Sequence, residues 1–412
     1  MDNPILTPIH VLKARQLQAV NLICLLLTFI IQRRPTNTKL VKLPTRKVIL
    51  ERIVVREELM CNLLNGGQCR DLIRMSENAF MRLCDILKGE GGLRPMQRMS
   101  IDEHVARFFH IVGNDLRTRL TSWMYGRSRS TTSKCFHKVL RAIISIESHY
   151  IQQPKGAIDG THVCVHVPNT HAPRYRGRKG YPTINVLVVC TFDLKFTYVL
   201  TGLEGIASHS RIIKNVFTRE DKLLIPSGRY CLVDAGLPHT SKLMAPYRGV
   251  RYHLKEYSMR APHNSKELFN LCHVSLHNTI ERAFGVLKRM FPIIQSTTEP
   301  FYSCETQSAI FFACCILHNF LLDEDRDINL EDEVMQEILN GPQDQEHRNS
   351  TEIDEGSSIA EQLTNSIANE TWNHYKTLKT HFSQWYDLFR GISLSGFYWN
   401  SSTQLIEAEE EV

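Results

Sequence analysis

The sequence has little that indicates a membrane span, no cysteine framework and no nucleotide-binding glycine pattern. Its main apolar run, Leu22–Ile31, has ten residues, whereas a spanning helix needs about 20. Twelve cysteines are present, but no two have the CxxC spacing of a zinc finger or a redox motif. We therefore expect buried, reduced thiols in an intracellular protein.

The Leu22–Ile31 run leaves three interpretations open. A buried or partner-facing helix is favoured by its length, and contact with a membrane is not expected. A membrane anchor remains an alternative. A signal peptide is the third, although Gln32-Arg33-Arg34 follows the run where a small-residue cleavage site would be expected.

Charge is distributed unevenly along the 412 residues. Residues 1–322 carry 44 Lys and Arg against 23 Asp and Glu, a net charge of +21, whereas residues 323–412 carry 5 against 20, a net charge of −15. Apolar residues make up 42% and charged residues 22% of the chain, which is ordinary for a globular protein of two or three domains. A basic body predicts a polyanionic partner, most often nucleic acid.

Residues 51–150 have the apolar spacing of helices, after an N-terminal apolar helix and basic linker at 1–50. Ser76 and Ser100 are predicted N-caps. A predicted helix over 130–146 follows a turn at Gly126, and this pattern resembles a helix-turn-helix. Lys134, Lys138 and Arg141 share one face of that helix, which could contact DNA phosphates, or could be an ordinary solvated face.

Residues 151–322 change to strand patterns mixed with helices. The sequence predicts a strand over Ala157–Val167, a hairpin over Asn185–Gly202 that turns at Asp193-Leu194, and a short strand over Arg229–Asp234. Helices are predicted over about 273–290 and 305–322. This order predicts an α/β fold with a mixed sheet and helices on both of its faces.

Three carboxylates of this region could bind metal ions. Asp159 and Asp234 follow hydrophobic strand segments, and Glu281 lies on a predicted helix. Two strand-end aspartates and one helical glutamate could converge on two divalent cations about 3.5–4 Å apart, as in enzymes that cleave phosphodiesters. The alternative is that the aspartates are turn residues and that Glu281 pairs with Arg282 or Lys288.

A family resemblance strengthens the metal-site interpretation. The chain resembles the PIF/Harbinger transposase family, which includes Harbinger-derived nucleases and plant ALP1-like proteins, over about residues 51–322. The segments that carry the resemblance are AIDGTHVCVHVP (157–168), RYRGRKGYPTINVLVVC (174–190), RYCLVDAGLP (229–238), LMAPYRGVRYHLKEY (243–257), NTIERAFGVLKRMFPI (278–293) and ACCILHNF (313–320).

The resemblance implies an RNase H-like catalytic domain at 151–322, preceded by an all-helical DNA-binding domain. It also implies nuclease or transposase chemistry on DNA with two Mg²⁺ or Mn²⁺ ions, a nuclear location, no small-molecule substrate, and Asp159, Asp234 and Glu281 as the acidic DDE set.

One departure from the family pattern concerns a metal ligand. The family usually has a His-Asp-Ser-Arg run after the hairpin, and here the run is Ser208-His209-Ser210-Arg211, so His209 stands where the family has a carboxylate. Imidazole is a poorer Mg²⁺ ligand than carboxylate. This leaves two hypotheses: a metal-dependent nuclease, impaired to some degree, and a catalytically inactive, transposase-derived protein that binds DNA or chromatin.

Two further segments complete the predicted organisation. A basic loop holds Arg174, Arg176, Arg178 and Lys179, which are expected to contact DNA phosphates near the metal site, with a solvated loop as the alternative. Residues 323–365 are acidic and are predicted to be a flexible linker. Residues 366–412 include a stretch, 381–412, that resembles part of a plant Myb/SANT-like domain, which suggests a partner protein of that kind.

Overall fold

The structure is a computed structural model. It describes residues 46–152, 156–176, 180–207, 209–220, 222–226, 228–252, 257, 260–295, 302–340 and 357–381. The described residues from Arg52 onward belong to one compact unit. The predictions for Leu22–Ile31, for Arg178 and Lys179, and for the Myb/SANT-like stretch from 382 onward lie outside the described residues.

The region before the sheet is helical, as predicted. The predicted caps Ser76 and Ser100 are confirmed, because each side chain accepts a hydrogen bond from the backbone N–H three residues later. Ser128, which was not predicted, caps its helix in the same way. The helices are Arg46–Asn65, Cys69–Ile73, Glu77–Gly89, Ile101–Val112, Thr118–Met124, Arg129–Ser145 (the basic helix) and Glu147–Tyr150.

Five strands form one mixed sheet in the order β3-β2-β1-β4-β5. Strand β1 pairs antiparallel with β2 and parallel with β4. The predicted hairpin turns at Asp193-Leu194, where Leu194 has a φ of 68°. The strands are β1 (Ala157–Cys164), β2 (Thr183–Cys190), β3 (Phe196–Glu204), β4 (Cys231–Val233) and β5 (Leu243–Met244).

Strand β1 is shorter than the predicted Ala157–Val167. The backbone N–H of Val165 still donates to the carbonyl of Pro182. Proline has no N–H with which to return the bond, so the ladder ends there.

Helices cover both faces of the sheet. Ala157 and Leu232 belong to one hydrophobic core, and the next residues in each strand, Ile158 and Val233, belong to a second core on the opposite face. The first core holds the long helix (Ser265–Met290) and the core helix (Cys304–Glu324), and the second holds the helix His209–Thr218. The α/β fold with a mixed sheet is thus confirmed.

The remaining described elements are the short helix Ala172–Tyr175, the 3₁₀ turn Pro292–Ile294 and the C-terminal helices Ile328–Asn340 and Ser357–His381.

The long helix begins eight residues before the predicted His273. Its start is set by Asn264, whose side chain accepts a hydrogen bond from the backbone N–H of Glu267. The first half of this helix is buried as well, through Leu268, Phe269 and Val274.

The core helix is the one described helix that is long and apolar enough to span a bilayer. In this fold it is internal, because Phe311, Cys314 and Leu317 are fully buried. Its hydrophobicity is therefore explained by core packing. Every described cysteine is free. Seven of them are buried, as expected, whereas Cys61 is exposed and Cys164, Cys272 and Cys304 are half-buried.

The helical region and the sheet share one continuous core across residues 150 and 157. Phe136 of the basic helix stacks on Tyr302, with ring centroids 5.0 Å apart. The Asn319 side chain donates hydrogen bonds to the carbonyls of Tyr150 and Phe196, one on each side of the predicted boundary. The two regions are therefore packed as one body.

The predicted flexible linker at 323–365 is wrong for its described parts. Residues Ile328–Asn340, here called the acidic helix, and Ser357–His381 are helical. Glu331 of the acidic helix is buried between Arg282 and Arg326, and Val334 packs against Gly285. An acidic composition indicates a solvated segment only when the acidic residues have no basic partners. Here basic residues pair with the acidic helix, so the segment is packed.

Candidate active site

The parallel pairing of β1 with β4 brings the two predicted aspartates together. Ile158 is paired with Val233, so Asp159 and Asp234 follow at the same level of the sheet. Neighbouring strands lie about 4.8 Å apart. Because side chains alternate between faces, both aspartates project to the face that Ala157 and Leu232 share, which is the face covered by the long helix.

Glu281 lies on the long helix beside the residues that anchor it to this face. Ile280, Phe284 and Leu287 are buried in the same core as Ala157, whereas Glu281 is exposed to solvent on one side. Arg282 pairs with Glu331, 3.3 Å away, rather than with Glu281. Asp159 and Asp234 thus lie on neighbouring strands, on the face of the sheet against which the helix carrying Glu281 packs.

The acids share one electrostatic environment. Burial, and then the charge of Asp234, raise the pKa of Asp159 to about 7. Two smaller effects lower it: the backbone N–H of Gly160 donates a hydrogen bond of 2.7 Å to the Asp159 carboxylate, and Lys288 contributes a positive charge. Burial also raises the pKa of Glu281, and the charges of Asp159 and Asp234 raise it further. His277 acts in the opposite direction and lowers it. Carboxylates that disfavour each other's charge need a cation to be ionised together.

The donor set fits a divalent cation. Within the described part of the chain, Oδ1 of Asp234 is buried and has no hydrogen-bond partner, which is an oxygen ready for a ligand. The described residues contain no group of three or more His, Cys, Asp or Glu side chains that could hold an ion together. A two-ion arrangement does not require such a group, because each ion is then bound by fewer protein oxygens together with water and substrate.

Lys288 and Tyr252 belong to the same neighbourhood and were not predicted from the sequence as functional residues. Lys288 follows Glu281 by seven residues on the long helix, and its Nζ lies 3.2 Å from Oγ1 of Thr161 on β1. Burial raises the pKa of Tyr252, and the charges of Glu281, Asp234 and Asp159 raise it further. The two-turn spacing from Glu281 could have identified Lys288, whereas Tyr252 is brought close only by the fold.

The structure locates His209 only by its backbone. It is the first residue of the helix His209–Thr218, and its side chain lies outside the described residues. A role for His209 in metal binding stays a prediction.

The predicted DNA-binding residues that the structure describes are all exposed, and one of them is also ion-paired. Lys134, Lys138 and Arg141 are all exposed on the basic helix. Arg127 directly precedes the basic helix but does not belong to the exposed basic face. Its guanidinium pairs with the buried carboxylate of Glu103 at 2.8 Å. Of the predicted basic loop, Arg176 is exposed. Arg174 lies instead on the short helix Ala172–Tyr175, where it is exposed and forms an ion pair with Glu204.

Comparisons with known proteins agree with this architecture. Residues 158–319 match the family model of the DDE superfamily endonucleases, whose members use divalent metals. Residues 52–145 match a domain of unknown function, DUF8040, so the helix-turn-helix-like interpretation of this region stays a prediction. No solved structure matches the chain significantly.

Curated relatives come from animals and plants. The protein named "Putative nuclease HARBI1" is 26% identical in Mus musculus, over 49% of this chain and 62% of that protein. The protein of that name in Homo sapiens is 24% identical, over 58% of this chain and 72% of that protein. "Protein ALP1-like" of Arabidopsis thaliana is 21% identical, over 70% of this chain and 78% of that protein. The chain thus spans less than two thirds of the length of the mouse relative.

Proposed function

Because the chain belongs to the Harbinger-derived family of DDE nucleases, we propose that it is a divalent-metal-dependent DNA endonuclease of the transposase type. One observation carries the proposal. Asp159 and Asp234 lie side by side on parallel strands, share an electrostatic environment with Glu281, and leave one buried carboxylate oxygen without a partner among the described residues.

Asp159, Asp234 and Glu281 are the residues that would hold two Mg²⁺ or Mn²⁺ ions. When bound, such ions activate water or a 3′-hydroxyl and stabilise the leaving oxygen of a phosphodiester. Oxygen-only ligands suit Mg²⁺. The chain contributes the fixed positions, since the sheet sets the separation of the aspartates and the Gly160 N–H orients the Asp159 carboxylate.

Access and substrate binding follow from the same face. Glu281 is exposed, so a DNA backbone can approach from its side without opening the core. Lys288 places a positive charge near Asp159, where it can attract a phosphate oxygen. The exposed basic helix would hold the duplex by phosphate contacts, which give affinity without sequence preference.

Plasmid nicking tests the proposal. Purified full-length protein with Mg²⁺ or Mn²⁺ should convert supercoiled plasmid to the nicked form, and Asp159→Asn and Asp234→Asn should each abolish conversion. Asp85→Asn, the same change at an exposed helix position, is the matched control and should nick like wild type. Nicking that survives both site substitutions would refute the assignment.

A second candidate is a catalytically inactive, transposase-derived protein that binds DNA or chromatin in the nucleus. The observation that favours it is His209 in place of a family carboxylate. Salt-sensitive retention of duplex DNA in a gel-shift assay, with no nicking in either metal, would select this function over the first. In both functions we propose a nuclear location, which imaging of the tagged protein would check.

A further inference from the structure

His277 is a buried histidine one helical turn before Glu281. The side chain of His277 is 4% exposed, and among the described residues its Nε2 atom is buried with no hydrogen-bond partner. A buried donor without a partner costs free energy. The four-residue spacing places His277 and Glu281 on one face of the long helix, with Cβ atoms about 5–6 Å apart.

His273, one turn earlier on the same face, is different. Its ring lies parallel to that of His277, with centroids 6.0 Å apart. Both of its nitrogens have partners: Nε2 lies 3.0 Å from the carbonyl of Met244, and Nδ1 lies 3.3 Å from the hydroxyl of Tyr252. Of this stacked pair, His277 therefore has the nitrogen left for a new partner.

Glu281 has a reason to need such a partner. It is exposed on a helix surface, and a long carboxylate side chain in solvent samples several rotamers, which must be restricted before it binds an ion. His277 opposes the rise in the pKa of Glu281, as expected for two side chains one helical turn apart.

We propose that His277 is a positioning residue for Glu281: its Nε2–H donates to the Glu281 carboxylate and holds it toward Asp159 and Asp234. This inference rests on the proposed metal site. The imidazole acts through the carboxylate and is not itself a ligand. Hydrogen bonds of this kind fix the orientation of metal-binding side chains, and losing one typically weakens metal affinity about 10- to 100-fold.

A double-mutant cycle on the full-length protein tests the proposal, with Mn²⁺ alone as the probe and Mn²⁺ affinity read by electron paramagnetic resonance. His277→Ala should weaken Mn²⁺ binding about tenfold or more, and His277→Gln, which keeps an N–H donor, should recover part of the loss. In the Glu281→Gln background, His277→Ala should have no further effect. His273→Gln is the control for disturbance of the same helix, and its effect should be the same in both backgrounds.

Each other result has a distinct meaning. If Glu281→Gln weakens Mn²⁺ binding and His277→Ala does not, the positioning role is wrong and the metal site stands. If His277→Ala is equally harmful in both backgrounds, the role is structural and the proposal is overturned. A ¹⁴N coupling to Mn²⁺ that disappears in His277→Ala but persists in His209→Asn would show direct ligation by His277, which also overturns it. If Glu281→Gln leaves Mn²⁺ affinity unchanged, both the proposed metal site and this inference fail.

Discussion

Neutralising Asp159 should stabilise the metal-free protein while destroying its proposed activity. The pKa of Asp159 rises from 3.8 to about 7 on folding, so between these values the folded state binds more protons than the unfolded state. Stability therefore falls as the pH rises through this window. Asn carries no charge, so Asp159→Asn escapes this loss, and its advantage should grow from pH 5 to pH 7 and level off above.

The magnitude follows from the shift. Three pH units correspond to about 4 kcal/mol at most, and because Asp159 is only half-buried, screening by solvent should reduce this to about 1–2 kcal/mol. An unfolding entropy of about 2.1 cal/mol/K per residue corresponds to roughly 1 °C per kcal/mol for a chain of this size, so Asp159→Asn should raise the Tm by about 1–2 °C at pH 8 in EDTA.

Thermal unfolding followed by circular dichroism from pH 5 to pH 8 is the assay, with Asp85→Asn as the control for the same chemical change at an exposed position. Saturating Mn²⁺ should then stabilise the wild type and leave Asp159→Asn unchanged, since only an intact site is linked to the metal. If the difference in Tm between the wild type and Asp159→Asn stays the same from pH 5 to pH 8, the pKa of Asp159 is not raised on folding, and the prediction is wrong.

Three other substitutions have defined expected outcomes. Gly285→Ala should destabilise the protein by about 1–3 kcal/mol, because its Cβ would lie 2.4 Å from Cγ1 of Val334; chemical denaturation should show the loss, and Val334→Ala should relieve it. Replacing Lys134, Lys138 and Arg141 together with Ala should weaken duplex binding and make the salt dependence of log K shallower by about 0.9 for each phosphate that is no longer neutralised; an unchanged slope in fluorescence anisotropy would mean a solvated face. His209→Asp should raise Mg²⁺-dependent nicking about tenfold, a barrier change of ~1.4 kcal/mol, since a hard oxygen ligand replaces imidazole; equal nicking by both proteins would show that His209 is not a ligand.

The elements with strong local signals could be predicted from the sequence. Ser76 and Ser100 cap their helices because the capping side chain and the N–H it satisfies are three residues apart. The Asp193-Leu194 turn and the two strands beside it follow from two apolar runs separated by a short turn. Asp234 directly follows β4, whereas Asp159 lies inside β1, two residues after its start, and not at a strand end as predicted. Their proximity could still be inferred from the apolar strand residues before each of them, and the sheet order shows that β1 and β4 are neighbours.

What could not be predicted depends on partners distant in sequence. Arg127 reads as a surface cation until Glu103, 24 residues away, is seen to be buried beside it. The acidic helix reads as solvated until Arg282 and Arg289 are found to pair with it. Deleting the acidic residues 323–412 would be one way to test whether their negative charge weakens DNA binding, but the deletion would also remove a packed helix. Replacing the exposed Glu333 and Glu337 removes negative charge and keeps the helix, so it is the better experiment.

The continuous core has a consequence for how the polypeptide can be divided. If synthesis were interrupted after residue 152, the first fragment would expose Phe136, which stacks on Tyr302 in the intact chain, and the second would expose the residues around Asn319 that hold Tyr150. Two such fragments, co-expressed, should recognise each other by these complementary apolar surfaces and reconstitute a split protein. Either one expressed alone should require a chaperone or be degraded.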